Sequence, residues 1–241
     1  MRSALRRTGR LFGAGALAGI GYLGMTWVRY GNPSRRGPKD SRLDQFMPVF
    51  EVREAHDTRV EAPASVVFAV AQELDMQQSP LLKAIFIGRE RLMGAAPAPR
   101  VPQSLLSEVL ALGWRVLFEE PAHHLVMGAV TQPWKADVKF RGLPPEEFAA
   151  FNEPGYAKIA WTIVAEPLSP TACVFRTETR VTTTDPESRK RFRRYWCLVS
   201  PGVLLIRREM LRLVRREAER RARSHRDGVE PISGLSSVSR E

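Results

Sequence analysis

The sequence contains few of the residues that build disulfide frameworks or zinc sites. Cys173 and Cys197 are the only cysteines among 241 residues, and no CxxC or Cys/His spacing accompanies them. Two distant cysteines exclude a disulfide-rich scaffold and favour two small apolar core residues, although a single bridge stays open for a domain outside a reducing compartment. No metal and no cofactor are expected.

Several catalytic signatures are also missing. The sequence has no HExxH motif, no Gly-rich phosphate loop and no hydrolase order of Ser, His and Asp. The sequence therefore gives no support for a zinc protease, a kinase or a triad hydrolase, although the absence of these motifs does not exclude another reaction.

Acidic residues are scarce in two parts of the chain only. Residues 1–44 carry +7 and residues 187–223 carry +9, whereas residues 45–186 carry −4, within a total of +11. The main body is acidic, so the pI near 10 does not indicate a generally basic surface, and no nucleic-acid partner is expected.

An uncharged stretch of 18 residues, Leu11 to Val28, lies between basic residues 1–10 and Arg29. At 1.5 Å per residue it spans about 27 Å, just enough for the hydrocarbon layer of a bilayer. We expect an uncleaved single-pass anchor over 11–28, because no small-residue cleavage site follows; a cleaved signal peptide is the alternative. Gly15 and Gly19 form a GxxxG pair that allows self-association of this helix. Basic residues on both sides leave the orientation unassigned.

The expected organisation continues with a linker over 29–45, one folded domain over 46–223 and a disordered tail over 224–241. The linker is rich in Pro and Gly, and the tail contains Gly, Pro and a Ser cluster. The domain is expected to be a single α+β unit.

Periodicity indicates the order of elements within this domain. Strict alternation over 50–61 predicts a strand, and helical spacing predicts helices after Pro63 and over about 79–93, with a further helical turn over 104–112. Short strands separated by turns follow over 114–119, 124–130, 136–140, 156–166 and 172–184. An apolar stripe then predicts a long helix from Pro186 to about Arg223, kinked or restarted at Ser200 and Pro201.

This order resembles that of the helix-grip fold. The segment from Val60 to Phe68, VEAPASVVF, is similar to the strand-to-helix junction of the START-like (SRPBCC) superfamily, which includes polyketide cyclases and lipid-transfer domains. The hairpin over 114–130, the strand segment 177–181 and the amphipathic helix after Asp185 extend the resemblance to about 50–220. The resemblance implies a curved antiparallel sheet wrapped around the long C-terminal helix, with an apolar cavity between them. It implies no shared catalytic motif.

Candidate site residues follow from the faces of the predicted strands. Glu54 and His56 share the buried face of the first strand and are candidate acid/base residues; alternatively, both are solvated near the cavity mouth. The candidate ligand-binding residues share apolar strand faces or the helix stripe: Val52, His56, Phe118, Trp161, Ile163, Phe175, Thr177, Thr179, Trp196, Val199, Val203 and Ile206. Arg176, Glu178 and Arg180 are expected to form an outward charged row.

Three functions stay open on this evidence. The first is non-catalytic binding of a hydrophobic small molecule or lipid by a membrane-anchored START-like domain. The second is a cyclase or dehydratase that uses Glu54 and His56. The third is attachment to anionic lipid through the helix arginines, for which a solvated face is the alternative: Arg207, Arg208, Arg212, Arg215, Arg216, Arg220 and Arg221.

Overall fold

The computed structural model describes residues 21, 24–28, 30–31, 40–94 and 103–227. Its helices are α1 (Ser41–Phe46), α2 (Ala64–Glu73), α3 (Pro80–Met93), α4 (Leu105–Ala111), α5 (Pro145–Ala150) and α6 (Pro186–Asp227), with one 3₁₀ turn at Met76–Gln78. Its strands are β1 (Val52–Val60), β2 (Arg115–Glu120), β3 (His124–Thr131), β4 (Phe140–Arg141), β5 (Ala157–Ser169) and β6 (Ala172–Thr183). The predicted α+β class and the antiparallel strands are confirmed.

The strands form one antiparallel sheet. Its order is β1-β6-β5-β3-β2, and the short β4 pairs with β3 at its end. The tight β5–β6 hairpin places these long strands at the centre, and β1 joins β6 over nine residue pairs from Val52↔Val181 to Val60↔Cys173. Alternate side chains therefore form two continuous faces, here called the inner face and the outer face.

The inner face packs against α6 and α2. Its core includes Phe175 and Ile163 from the sheet, Phe68 from α2, and Met210 and Val214 from α6. Removing such side chains from water stabilises the fold by roughly 1.5–3 kcal/mol each. The apolar stripe predicted for the last helix is thus the surface that holds the sheet.

The first turn of α6 is fixed by Asp185. Its Oδ1 accepts hydrogen bonds from the amides of Glu187 and Ser188 at 2.9 Å each, and Oδ2 accepts from the Ser188 hydroxyl and the Gly155 amide at 2.5 and 2.6 Å. These bonds, chiefly that from the Ser188 side chain, hold the pKa of Asp185 well below its usual range. Asp185 therefore caps the helix and joins it to the loop before β5.

Helix α6 does not restart at Pro201. It runs without interruption to Asp227 with Pro201 inside it, so the expected restart at Ser200 is wrong. Ser200 is buried within the helix. Residues 224–227, expected in the tail, are helical, and the rest of the tail lies outside the described residues.

The outer face is covered by α1 and α5. Leu43 and Met47 pack with Phe148 of α5 and with Val126 and Val130 of β3. The segment predicted as a linker up to residue 45 thus contains a helix that belongs to the folded unit. This helix has only six residues and follows a Pro- and Gly-rich segment, so the sequence shows no helical period there.

The predicted charged row does lie on the outer face, but two of its three members are not exposed to water. Glu178 and Arg180 expose none of their surface, and Arg53 of β1 joins them with an Nη2–Oε2 distance of 2.8 Å to Glu178. Arg176 keeps partial exposure and pairs with Glu166 at 3.2 Å. The cover provided by α1 removes the first two from water, and their mutual pairing makes that burial tolerable.

The predicted anchor over 11–28 falls largely outside the described residues, which include only Gly21 and residues 24–28 of it. Gly15 and Gly19 fall outside them too. Within the described part of the chain, no helix has both the length and the apolar character needed to cross a bilayer.

Candidate functional site

A cluster of polar side chains lies on the inner face where β1, β6 and α6 meet. The β1–β6 register sets Glu54 opposite Thr179 and His56 opposite Thr177. Directly opposed residues on antiparallel strands have Cβ atoms about 4.5–5.5 Å apart, so these four side chains form one patch. Arg207 reaches this patch from α6. We call these five residues the inner polar cluster.

Arg207 spans the two threonines. Its Nη1 donates to Thr177 Oγ1 at 3.5 Å, and its Nη2 donates to Thr179 Oγ1. Burial lowers the pKa of Arg207 to about 10, while the nearby carboxylates of Glu54 and Glu178 act in the opposite direction. The guanidinium is therefore still a cation at neutral pH, held in a place with little water. Its Nε is buried without a hydrogen-bond partner.

The acid and the base of the cluster are shifted in opposite senses. Burial raises the pKa of Glu54, against the attraction of Arg207. Burial, then Arg207 and Arg208, lower the pKa of His56, and Asp57 opposes them. The folded protein thus favours a neutral imidazole and moves the carboxyl towards its neutral form. Nδ1 of His56 is buried without a hydrogen-bond partner, so it is free to meet a polar atom of a ligand.

Apolar side chains surround the inner polar cluster. Trp161 lies opposite Thr179 on β5 and meets Trp114 edge to face, with ring centroids 6.3 Å apart. Most residues predicted to bind a ligand lie on this face, in two apolar groups. One group contains Val52 and Trp196, with Val199 and Val203 packed against it. The other contains Ile163 and Phe175, with Trp161 and Ile206 packed against it. The structure brings them together around the cluster, and their contact with a ligand stays a prediction.

Phe118 does not belong to this site. It pairs with Val126 on the outer face, where its ring stacks beneath the Arg42 guanidinium at 4.4 Å. The cause is a β-bulge, since the register shifts between Val116, which pairs with Met127, and Phe118. The extra residue, Leu117, reverses the alternation. The prediction of Phe118 as a ligand-binding residue is corrected accordingly.

Arg207 was expected on the solvent side of α6. Its spacing signalled otherwise, because it follows Val203 by four residues and precedes Met210 by three, which places it on the inward stripe. Other members of the expected basic cluster pair with carboxylates: Arg212 with Glu209 and Arg220 with Glu217, both at 2.7 Å. The uniform cationic face predicted for α6 is thus broken up.

An open cleft of about 450 Å³ lies near the C-terminal end of β3. It is lined mainly by polar side chains: Val130, Gln132, Lys135, Asp137, Lys139, Arg141 and Tyr156. Its charges are largely paired, Arg141 with Glu153 at 2.9 Å and Lys139 with Asp137 at 3.6 Å. No three His, Cys, Asp or Glu residues of the described chain are arranged to hold a metal ion. The inner polar cluster is therefore the better candidate site.

A curved antiparallel sheet, ordered β1-β6-β5-β3-β2, holds a 42-residue C-terminal helix against its inner face. This is the START-like, helix-grip fold. The resemblance found in the sequence is confirmed at the level of the fold. The inner polar cluster lies between this sheet and this helix.

Solved structures similar to this chain include three proteins from biosynthetic pathways or enzyme families. The di-domain ARO/CYC protein BexL of the BE-7585A biosynthetic pathway is 15% identical with a TM-score of 0.32; the match covers 68% of this chain and 45% of BexL, so this chain spans less than half of that protein. A norcoclaurine synthase point mutant from Thalictrum flavum, bound to a transition-state analogue, is 13% identical over 67% of this chain and 92% of its own, with a TM-score of 0.31. The Zhui aromatase/cyclase from Streptomyces sp. R1128 is 15% identical over 72% and 96%, with a TM-score of 0.24.

These likenesses are distant, and they carry no argument about what this chain binds or does. No protein-family model and no curated protein matches the sequence.

Proposed function

We propose that this START-like domain binds an apolar small molecule that carries an oxygen-bearing polar end. The observation that carries the proposal is the partly buried Arg207, held by Thr177 and Thr179 among apolar side chains. A partly buried cation fixed in this way offers directed donors to a carbonyl, phenol or carboxylate oxygen. The apolar surroundings contribute burial of the remainder of the ligand.

The location of this activity is also part of the proposal. The apolar segment 11–28 supports attachment of the domain to a membrane, where lipid-like molecules are found. Binding without a reaction is the simplest use of the site, because Arg207 and the threonines suffice for recognition.

Binding is tested with anilinonaphthalenesulfonate, a fluorescent apolar ring system that bears an anionic sulfonate. We expect the full chain to bind this probe and Arg207→Met to bind it roughly tenfold or more weakly, because a hydrogen bond to a charged group contributes about 1.5–3 kcal/mol. Arg208→Met is the matched control, since Arg208 is the exposed neighbour on the same helix. Equal affinity of the two variants would show that Arg207 does not recognise the ligand.

A second candidate function is proton transfer at a carbon next to a carbonyl group, as in a cyclase or dehydratase. Opposite pKa shifts at Glu54 and His56 favour it, because burial raises the pKa of the carboxyl group and, by lowering the pKa of His56, keeps the imidazole on the same face in its neutral, basic form. Arg207 then stabilises the oxygen that becomes negative when the carbon loses its proton.

The proton-transfer candidate is tested by exchange of solvent deuterium into 2-tetralone, followed by NMR. We expect the full chain to accelerate exchange and Glu54→Gln and His56→Asn to lose the acceleration, while Asp57→Asn, an exposed neighbour, retains it. Acceleration that survives both inner substitutions would exclude these residues as acid and base. A chain that binds the fluorescent probe without accelerating exchange supports binding alone.

A further inference from the structure

The outward side of α6 carries an apolar centre between two arginines. Arg194, Leu198, Pro201, Leu205 and Arg208 follow one another at intervals of four, three, four and three residues, so they lie on one helix face. All five are exposed, Leu198 by 53% and Leu205 by 44%. The five residues, here called the outer strip, extend over about 21 Å of helix.

The arginines at the two ends of the outer strip are uncompensated. Neither Arg194 nor Arg208 forms an ion pair with another residue of the described chain. About one turn before Arg194, Arg191 pairs with Glu187 at 3.2 Å. Beyond Arg208, Arg212 pairs with Glu209 at 2.7 Å. The strip therefore ends in two cations that are available for an anionic partner.

Further exposed apolar side chains lie beside the start of the outer strip. The Arg193 guanidinium lies over the Trp27 ring at 3.9 Å, and its Nη2 donates to the Trp27 carbonyl at 2.5 Å. Met25, Trp27 and Val28 are all exposed. These are the last residues of the uncharged stretch 11–28, and the contact of Trp27 with Arg193 places them next to the residue before Arg194.

We propose that the outer strip lies on the surface of an anionic lipid bilayer. Leu198, Pro201 and Leu205 enter the boundary between headgroups and acyl chains, and Arg194 and Arg208 contact lipid phosphates. Exposed leucines between arginines on one helix face are the pattern of an interfacial helix, and long arginine side chains keep their charge among the headgroups while their stems stay in apolar surroundings. A nucleic-acid surface is disfavoured because its centre would be cationic. The proposal is independent of what the inner polar cluster binds.

The test places single labels on the full chain. In a background where Cys173 and Cys197, both buried, are replaced by alanine, cysteine is introduced at Leu198, Leu205 or Leu168 and labelled with nitrobenzoxadiazole. Leu168 is the matched control, because this leucine belongs to strand β5 and not to the outer strip and is 54% exposed. On vesicles of phosphatidylglycerol and phosphatidylcholine, we expect emission from 198 and 205 to rise roughly twofold or more and shift to the blue, with 168 unchanged.

The contrast between labels identifies the surface that touches lipid. Because each label is carried by the same full chain, attachment through another segment leaves the contrast intact. Spectra at 198 and 205 that respond no more than that at 168 would overturn the proposal. Changes that appear without vesicles as the protein concentration rises would also overturn it, since they would indicate a second copy on the strip.

The charge part of the proposal has its own variant. Arg194→Gln with Arg208→Gln is expected to reduce the response of the label at 205 on anionic vesicles. An undiminished response, or an equal response of the unsubstituted chain on pure phosphatidylcholine, would contradict recognition of anionic lipid. Binding of anilinonaphthalenesulfonate is measured on the same samples. Loss of lipid contact by the outer strip is thereby distinguished from loss of ligand binding by the inner polar cluster.

Discussion

Arg180 donates a hydrogen bond from Nε to Glu178 Oε1 at 2.7 Å, and neither side chain has any exposed surface. Arg180 also donates to Asp44 Oδ1 at 2.6 Å and to the carbonyls of Met47 and Asp40 at 3.0 Å each. One buried arginine thereby joins the centre of the sheet to the segment that covers it. The segment 40–47 is held by charge as well as by apolar packing.

Removal of one partner from this buried pair is expected to be costly. Glu178→Gln leaves the guanidinium groups of Arg53 and Arg180 without their shared carboxylate, so we expect a loss of about 3–5 kcal/mol in the free energy of unfolding. Arg176→Gln is the control on the same strand, where an exposed pair with Glu166 contributes about 0–1 kcal/mol. Urea unfolding followed by circular dichroism measures both. Equal small losses would show that the pair contributes little.

The shifted imidazole of His56 gives the fold a dependence on pH. Its pKa is lower in the folded chain than in the unfolded chain, so below the unfolded value of about 6.5 the unfolded state takes up more protons, and stability falls as the solution is acidified. We expect His56→Asn to flatten this part of the curve. Urea midpoints across a pH series test it, with His225→Asn, at an exposed position, as the control. A curve unchanged by His56→Asn would contradict the prediction.

Gly113 occupies a position that no other residue fits well. Its φ is +98°, and an added Cβ would lie 2.4 Å from the Phe140 carbonyl oxygen, so Gly113→Ala is expected to lower the free energy of unfolding by at least about 1–2 kcal/mol. Gly88 lies within α3 with open space around an added Cβ, and Gly88→Ala is expected to raise that energy by about 0.5–1 kcal/mol. Thermal unfolding of both variants checks the opposite signs; a shift in the same direction would be evidence against this account.

The cap of α6 provides a prediction at acid pH. The lowered pKa of Asp185 means that its contribution is complete above the unfolded value and is lost as the pH falls through the lower, folded value. Asp185→Asn removes an acceptor of the Gly155 amide, so the variant should unfold at a lower urea concentration at neutral pH. The difference from the unsubstituted chain should shrink in acid. A gap that stays constant with pH would show that ionisation of Asp185 does not matter.

The elements with a strong period were predictable, whereas the faces of several residues were not. Helix α6 and strands β1, β3, β5 and β6 were predicted close to their observed bounds, because alternation and helical spacing persist over many residues. Glu178 and Arg180 alternate as a water-facing row does. Their burial depends on α1, which lies more than a hundred residues earlier in the chain. The alternation of residues within β6 cannot indicate that contact.

The candidate site was predictable in part for the same reason. Glu54 and His56 follow from strand alternation, and the structure adds Thr177 and Thr179 opposite them by register. Phe118 was misplaced because a bulge of one residue leaves no clear mark in the sequence. Arg207 was predicted on the solvent side of α6 because arginine is usually exposed, whereas its spacing from Val203 and Met210 places it on the inward stripe.

Helix α6 has uneven stiffness along its length. Pro201 has no amide hydrogen, so the carbonyl of Cys197 lacks its usual donor, and Gly202 adds a residue with a weak helical preference. Aromatic packing of Phe192 and Trp196 holds one half of the rod, and Met210 and Val214 hold the other. The helix is therefore expected to bend most easily near Pro201, between one and two turns before Arg207.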